Sequence, residues 1–175
     1  MGGKALRPQV IVGVNGSPTS LQALRRAAVE ARRADAVLQV TYAYTVPSSA
    51  LAPPLPENRD SLAQAARQVI DMCLDEALGG MPGSLPVCRT VVANTPAGEA
   101  LVGRVHSEDD LIVVGTGSHR PAWRWRRSVA GYCERHAICS VLAVPPPRML
   151  RELGGRTRIR RRDLDRLLVD LPPGG

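Results

Sequence analysis

Asp110-Leu-Ile-Val-Val-Gly-Thr-Gly-Ser-His-Arg120 and the nearby Arg126-Arg-Ser-Val-Ala-Gly131 hold the residue types that offer chemistry. An apolar run that stops on Gly115 and Gly117 and hands over to a helix opening near Ser128 exposes main-chain N–H groups, which suits a phosphate. Cys133, His136 and Cys139 recur at spacings of three, but a tetrahedral zinc site wants a fourth ligand and usually paired CxxC loops, so no structural metal is expected. Ser128, His119 and Asp110 could be drawn as a triad, yet no Gly-x-Ser-x-Gly elbow is present. Asp109-Asp110 reads as a polar lead-in to a strand and not as an acid/base pair. Trp123 and Trp125 alternate with Arg120, Arg124 and Arg126. They could stack on a base or anchor a partner, or the indoles could cover the sheet edge beneath the Arg stems. No catalytic arrangement emerges, and the chain is not expected to be an enzyme.

The elements that would position these residues alternate along the chain. The apolar run at residues 8–14 reads as a strand covered on both faces. Asn15-Gly16 breaks it, and Ser17 caps a helix with Pro18 in its first turn and Leu21, Leu24, Ala28 and Ala31 at helical spacing. Residues 37–44 are rich in β-branched and aromatic types and form a second strand. Pro47, Pro53, Pro54 and Pro56 make residues 45–59 a long surface loop, after which Asp60 is expected to cap a helix ending at Gly79-Gly80. A third strand over 87–93, a helix opened by Thr95-Pro96 and running through Val105, and a fourth strand at Leu111 to Val114 follow. A helix from Ser128 to Arg135 and a fifth strand at Val141 to Val144 complete the pattern. Strand and helix in regular alternation predict an α/β fold, an open and mostly parallel sheet with helices on both faces, with ligands at the carboxyl ends of the strands near a switch in strand order.

Pro145-Pro-Pro147 closes the domain, which spans residues 6–147, and leaves residues 148–175 as an Arg-rich tail. That tail carries eight Arg against four acids, within a chain of net charge +7 whose only lysine is Lys4. Leu164, Leu167, Leu168 and Leu171 there suggest about two helical turns, too short to be stable unaided. Phe is absent and aromatics make up 3% of the chain, so Val, Leu, Ala and Ile must build the core, and stacking platforms for single-stranded nucleic acid are not expected. Cys73, Cys88, Cys133 and Cys139 form no CxxC pair, which fits a reducing compartment. With no apolar run near the ~18 residues of a membrane span and no signal-peptide core, a cytoplasmic location without membrane attachment is expected.

In four blocks the chain resembles the universal stress protein family: Val10-Ile-Val-Gly-Val-Asn-Gly-Ser17, Asn94-Thr-Pro-Ala-Gly-Glu-Ala-Leu101, Asp110-Leu-Ile-Val-Val-Gly115, and Ser128-Val129 followed by Arg135-His-Ala-Ile-Cys-Ser-Val-Leu-Ala-Val144. The resemblance implies a doubly wound five-stranded parallel sheet, like that of the adenine nucleotide alpha hydrolases, and a homodimer paired through the last strand, Val141 to Val144. Members that hold ATP carry Gly-x-x-Gly, nine residues, then Gly-Ser/Thr, with an Asp after the first strand. Here Asn15 stands at the Asp position, Ser118 at the second glycine with Gly117 beside it, and Arg127 at the third; the linker from Gly115 to Ser128 is one residue short. The resemblance places an adenine nucleotide, ATP in the family's signature, against Gly13, Asn15, Ala43, Val114, Gly115, Gly117, Ser118, Arg127, Ser128 and Val129. Arg126 or Arg127 would then add charge-assisted hydrogen bonds to a phosphate. Alternatively the Arg127 side chain fills the pocket and the turn only packs.

Two functions follow as expectations. The first is a non-catalytic stress-response protein that senses an adenine nucleotide through a degenerate phosphate loop. The second is a nucleotide-free interaction module whose Arg/Trp loop and basic tail hold an acidic protein, or nucleic acid with a steep salt dependence.

Overall fold

β1 (Gln9–Gly13) lies at the centre of the sheet, paired in parallel with β2 (Val37–Tyr44) on one side and β4 (Leu111–Gly115) on the other. The computed structural model describes residues 7–46, 56–117 and 128–147. β3 (Val87–Ala93) extends the sheet beyond β2, and β5 (Ser140–Val144) extends it beyond β4. The order is β3-β2-β1-β4-β5, every pair parallel, so the chain reverses its direction of travel across the sheet between β1 and β4.

Strand alternation sends side chains to two separate cores. Val10, Val12 and Val14 of the β1 segment, Leu38 and Val40 of β2, and Val113 of β4 pack with α1 (Pro18–Arg33) and α2 (Pro56–Leu78). Ile11, Ile112 and Val114 point the other way and pack with Leu101 of α3 (Ala97–Val102) and with Ala130 and Cys133 of α4 (Val129–His136). The α1 register follows from Ser17, whose hydroxyl accepts from Ser20 N at 3.2 Å, and its inner face is Leu21, Ala23, Leu24, Ala27, Ala28 and Ala31. Small alanines let a helix lie close to a sheet face of Val and Leu, which is how a core without Phe reaches close packing.

Two boundaries differ from expectation by more than a residue. α2 begins at Pro56 and not at Asp60, because proline is favoured in a first helical turn, where its missing N–H costs nothing. α3 stops at Val102 and does not run to Val105. Gly103 caps it, and Arg104 N and Val105 N turn back to Leu101 O and Val102 O in shorter-range bonds.

At the amino edge, the Asp110 carboxylate is 3% exposed and accepts from Gln9 N at 2.8 Å, His106 N at 2.8 Å and Ser107 N at 3.0 Å. It ties the start of β1 to the turn before β4, a larger role than the polar lead-in expected for it.

Candidate functional site

The reversal between β1 and β4 leaves a gap at the carboxyl edge, where chain from both strands leaves in opposite directions. After β1, Val14 N donates to Thr41 O at 3.0 Å, and the turn then closes on itself. Asn15 Oδ1 accepts from Ser17 N at 3.0 Å, Asn15 N donates to Ser20 Oγ at 3.3 Å, and Gly16 takes φ +75°. The oxygen of Asn15 is therefore occupied by the turn, and what this exposed side chain offers outward is a neutral amide.

After β4, Thr116 N and Thr116 Oγ1 both donate to Val144 O, at 2.9 and 3.3 Å, fixing the exit beside β5. A Cβ on Gly115 would stand 2.7 Å from Thr19 Cγ2 and 2.9 Å from Thr19 O, so glycine here lets the first turn of α1 close over the end of β4. Gly115 thus has a packing reason independent of any ligand. Gly117 has φ +69°, and no described residue lies within 4 Å of where its Cβ would stand.

Ser128 caps α4, its Oγ accepting from Gly131 N at 3.1 Å, and Val129 in the first turn is 38% exposed. Ala130 packs in the same core cluster as Val114, so the start of α4 lies by the end of β4. Positive potential at a helix start and free first-turn N–H groups favour an anion there.

Ala43 is half-buried near the end of β2. Beyond it the chain is pinned by Asn94, which adopts φ 54° and whose Oδ1 accepts from Val46 N at 2.8 Å. Asn94 N in turn donates to Tyr44 O at 2.8 Å.

The structure therefore brings Gly13, Asn15, Ala43, Gly115, Gly117, Ser128 and Val129 to one edge of the sheet. Val114 is placed there too, but its side chain is 2% exposed and belongs to the core. Ser118 and Arg127 lie outside the described residues, as do His119, the Trp123/Trp125 loop with its Arg residues, and the tail.

Asp110 sits at the opposite end of β4 from Ser128, about 16 Å of strand away at ~3.3 Å per residue, so the two cannot share a triad. Cys133 is fully buried with its thiol 3.9 Å from Gly98 O, while His136 is exposed and its ring lies 4.3 Å from that of Tyr132. Burial, with the neighbouring Cys139 adding to it, pushes the Cys133 thiol up from 9.0 to about 11, and burial also raises Cys139. Among the described residues no group of three His, Cys, Asp or Glu side chains is placed to hold a metal ion.

A model of the universal stress protein family matches residues 7–145. The chain belongs to this family. Solved structures agree on the fold. Universal stress protein UspA from Lactobacillus plantarum is 24% identical, with 81% of this chain and 99% of that one covered at a TM-score of 0.59. A universal stress protein family member from Burkholderia pseudomallei is 23% identical, with 83% and 100% covered at 0.56. A universal stress protein in complex with cAMP is 23% identical, with 82% and 100% covered at 0.55. A search of curated proteins finds no match.

Sequence reasoning missed Thr19, Asn94 and Thr41. Thr41 had a signal: two residues before Ala43 on a strand, it must face the same side. Thr19 and Asn94 act through contacts distant in sequence, with β4 and with the exit of β2, which no local pattern reveals.

Proposed function

We propose that this universal stress protein is a non-catalytic binding protein of the stress response that takes an adenine nucleotide at the carboxyl edge between β1 and β4. The carrying observation is the convergence there of the ends of β1, β2 and β4 with the Ser128-capped start of α4. The base would lie by Ala43 and Gly13, and the phosphates by Gly117 and the α4 start, with Ser118 and Arg127 completing the loop. The cAMP complex of a relative with the same fold supports an adenine nucleotide as the class of ligand. Binding without turnover is supported by Asn15, whose only acceptor atom is held by Ser17 N and which has no carboxylate to serve as a base or to face a metal-bound phosphate. The protein would act in the cytoplasm as a homodimer paired through β5.

The test is to denature the purified protein, identify any released nucleotide by chromatography, and titrate ATP and cAMP by calorimetry with and without magnesium. Released nucleotide or micromolar affinity is expected, with hydrolysis far slower than exchange. A flat titration at millimolar nucleotide would overturn the reading and move attention to the Arg/Trp loop and the basic tail as a surface for an acidic partner.

A further inference from the structure

Thr41 is 2% exposed, and its hydroxyl has no hydrogen-bond partner among the described residues. On β2, Leu38, Val40 and Tyr42 pack into the α1/α2 core, so Gln39, Thr41 and Ala43 face the α3/α4 side. Thr41 pairs in register with Gly13 on one side and Thr90 on the other. Neither neighbour serves it. Gly13 has no side chain, and the Thr90 hydroxyl accepts from Gln39 Nε2. The place a Gly13 side chain would take is instead met by the flexible end of Leu101, whose Cδ1 would stand 3.1 Å from such a Cβ. Valine has nearly the shape of threonine and would fill this spot with no polar atom to satisfy. An orphaned hydroxyl held at the candidate site calls for an explanation beyond packing.

We propose that Thr41 is a ligand-binding residue whose Oγ1 accepts a hydrogen bond from the exocyclic amine of the adenine base. This rests on the adenine-nucleotide reading above and deepens it by naming the atom that meets the base. A base entering at the carboxyl edge passes Ala43, the small side chain next above Thr41 on the same face. Its leading ring edge reaches the hydroxyl once Leu101, 1% exposed in the α3/α4 core, changes rotamer. The amine is adenine's only hydrogen-bond donor, and Oγ1 is an acceptor with nothing bound to it. Bringing the two together gives the amine an acceptor and Oγ1 a donor in a dry site, where such a bond is worth most.

The experiment is calorimetric titration of ATP and of purine riboside triphosphate, which lacks the amine, into the wild type, Thr41→Val and Thr41→Ser, with thermal unfolding of each unliganded protein. The wild type should prefer ATP about tenfold, the worth of one well-made hydrogen bond. Thr41→Val should bind the two nucleotides alike, at the level of the analogue, and unfold no earlier than the wild type. Thr41→Ser keeps the hydroxyl and should keep the preference, which separates lost recognition from a disturbed fold. An unchanged preference in Thr41→Val overturns the inference, and if its unfolding midpoint also falls, the hydroxyl is held by an internal water. A wild type that binds both nucleotides equally overturns the Thr41 assignment but leaves adenine-nucleotide binding standing. A wild type that binds neither overturns both.

Discussion

Cys133 sits at 0% exposure in the α3/α4 core, and its thiol is protonated far above the pH at which an exposed one ionises. The folded value of about 11 against an ordinary 9.0 gives the sign of a pH effect. Because the folded pKa is raised, the unfolded chain loses its proton first. Stability that is full below about pH 9 therefore drains away as the pH rises toward 11, by on the order of 2 kcal/mol for this group. Cys73 and Cys139 are raised too, chiefly by burial, and act in the same direction. Urea unfolding midpoints measured from pH 8 to 11 should fall for the wild type. In Cys133→Ala the starting midpoint is lower because a cavity is left, but the fall should be shallower. Equal slopes would mean that Cys133 does not titrate as its burial dictates. High thiol pKa also makes these three cysteines poor nucleophiles and poor metal ligands at neutral pH.

At the scale of the element, caps and periodicity were legible in the sequence and the contacts between elements were not. Ser17-Pro18 and Ser128 announce α1 and α4 because capping is local: a hydroxyl reaches a main-chain N–H three residues on. β2 and β3 were readable to the residue, since β-branched runs bounded by breakers leave little choice. The start of α2 was misjudged because Pro47 to Pro56 reads as unbroken loop, although proline suits both a loop and a first helical turn. Gly115 is the instructive case. From the sequence it stands for a glycine that admits a phosphate, and in the structure it also admits α1. Gly115→Ala should cost about 1–3 kcal/mol in urea unfolding through overpacking against Thr19, with or without nucleotide. Gly117→Ala meets no atom of the described residues and should cost only the positive φ, about 1 kcal/mol. If the two variants were equally stable, α1 would not be closing on β4 as described.

The whole molecule has two unlike sheet edges, and they set what it can join. At the β3 edge, Arg89 of the strand pairs with Asp71 of α2, a charged contact that discourages further strand pairing. At the β5 edge the strand is Ser-Val-Leu-Ala-Val, without charge, and neighbouring Ile138 is 67% exposed. Val144 O accepts from Thr116 N, so the main-chain groups of Val144 face β4. By alternation Leu142 and Ser140 do the same, and the N–H groups of Val141 and Ala143 point away from the sheet. That geometry permits a clean test of the proposed homodimer. Proline at residue 143 removes a donor the β4 ladder does not use, so Ala143→Pro should keep the fold while blocking strand pairing across the edge. Sedimentation should give a dimer for the wild type and a monomer for Ala143→Pro, with circular dichroism unchanged. A variant that still sediments as a dimer would place the interface elsewhere. The candidate nucleotide site includes the turn after β4, where Thr116 holds Val144 O of β5. The β5 edge and the ligand edge are thus joined through one strand, and nucleotide titration of Ala143→Pro would read directly whether pairing and binding are coupled.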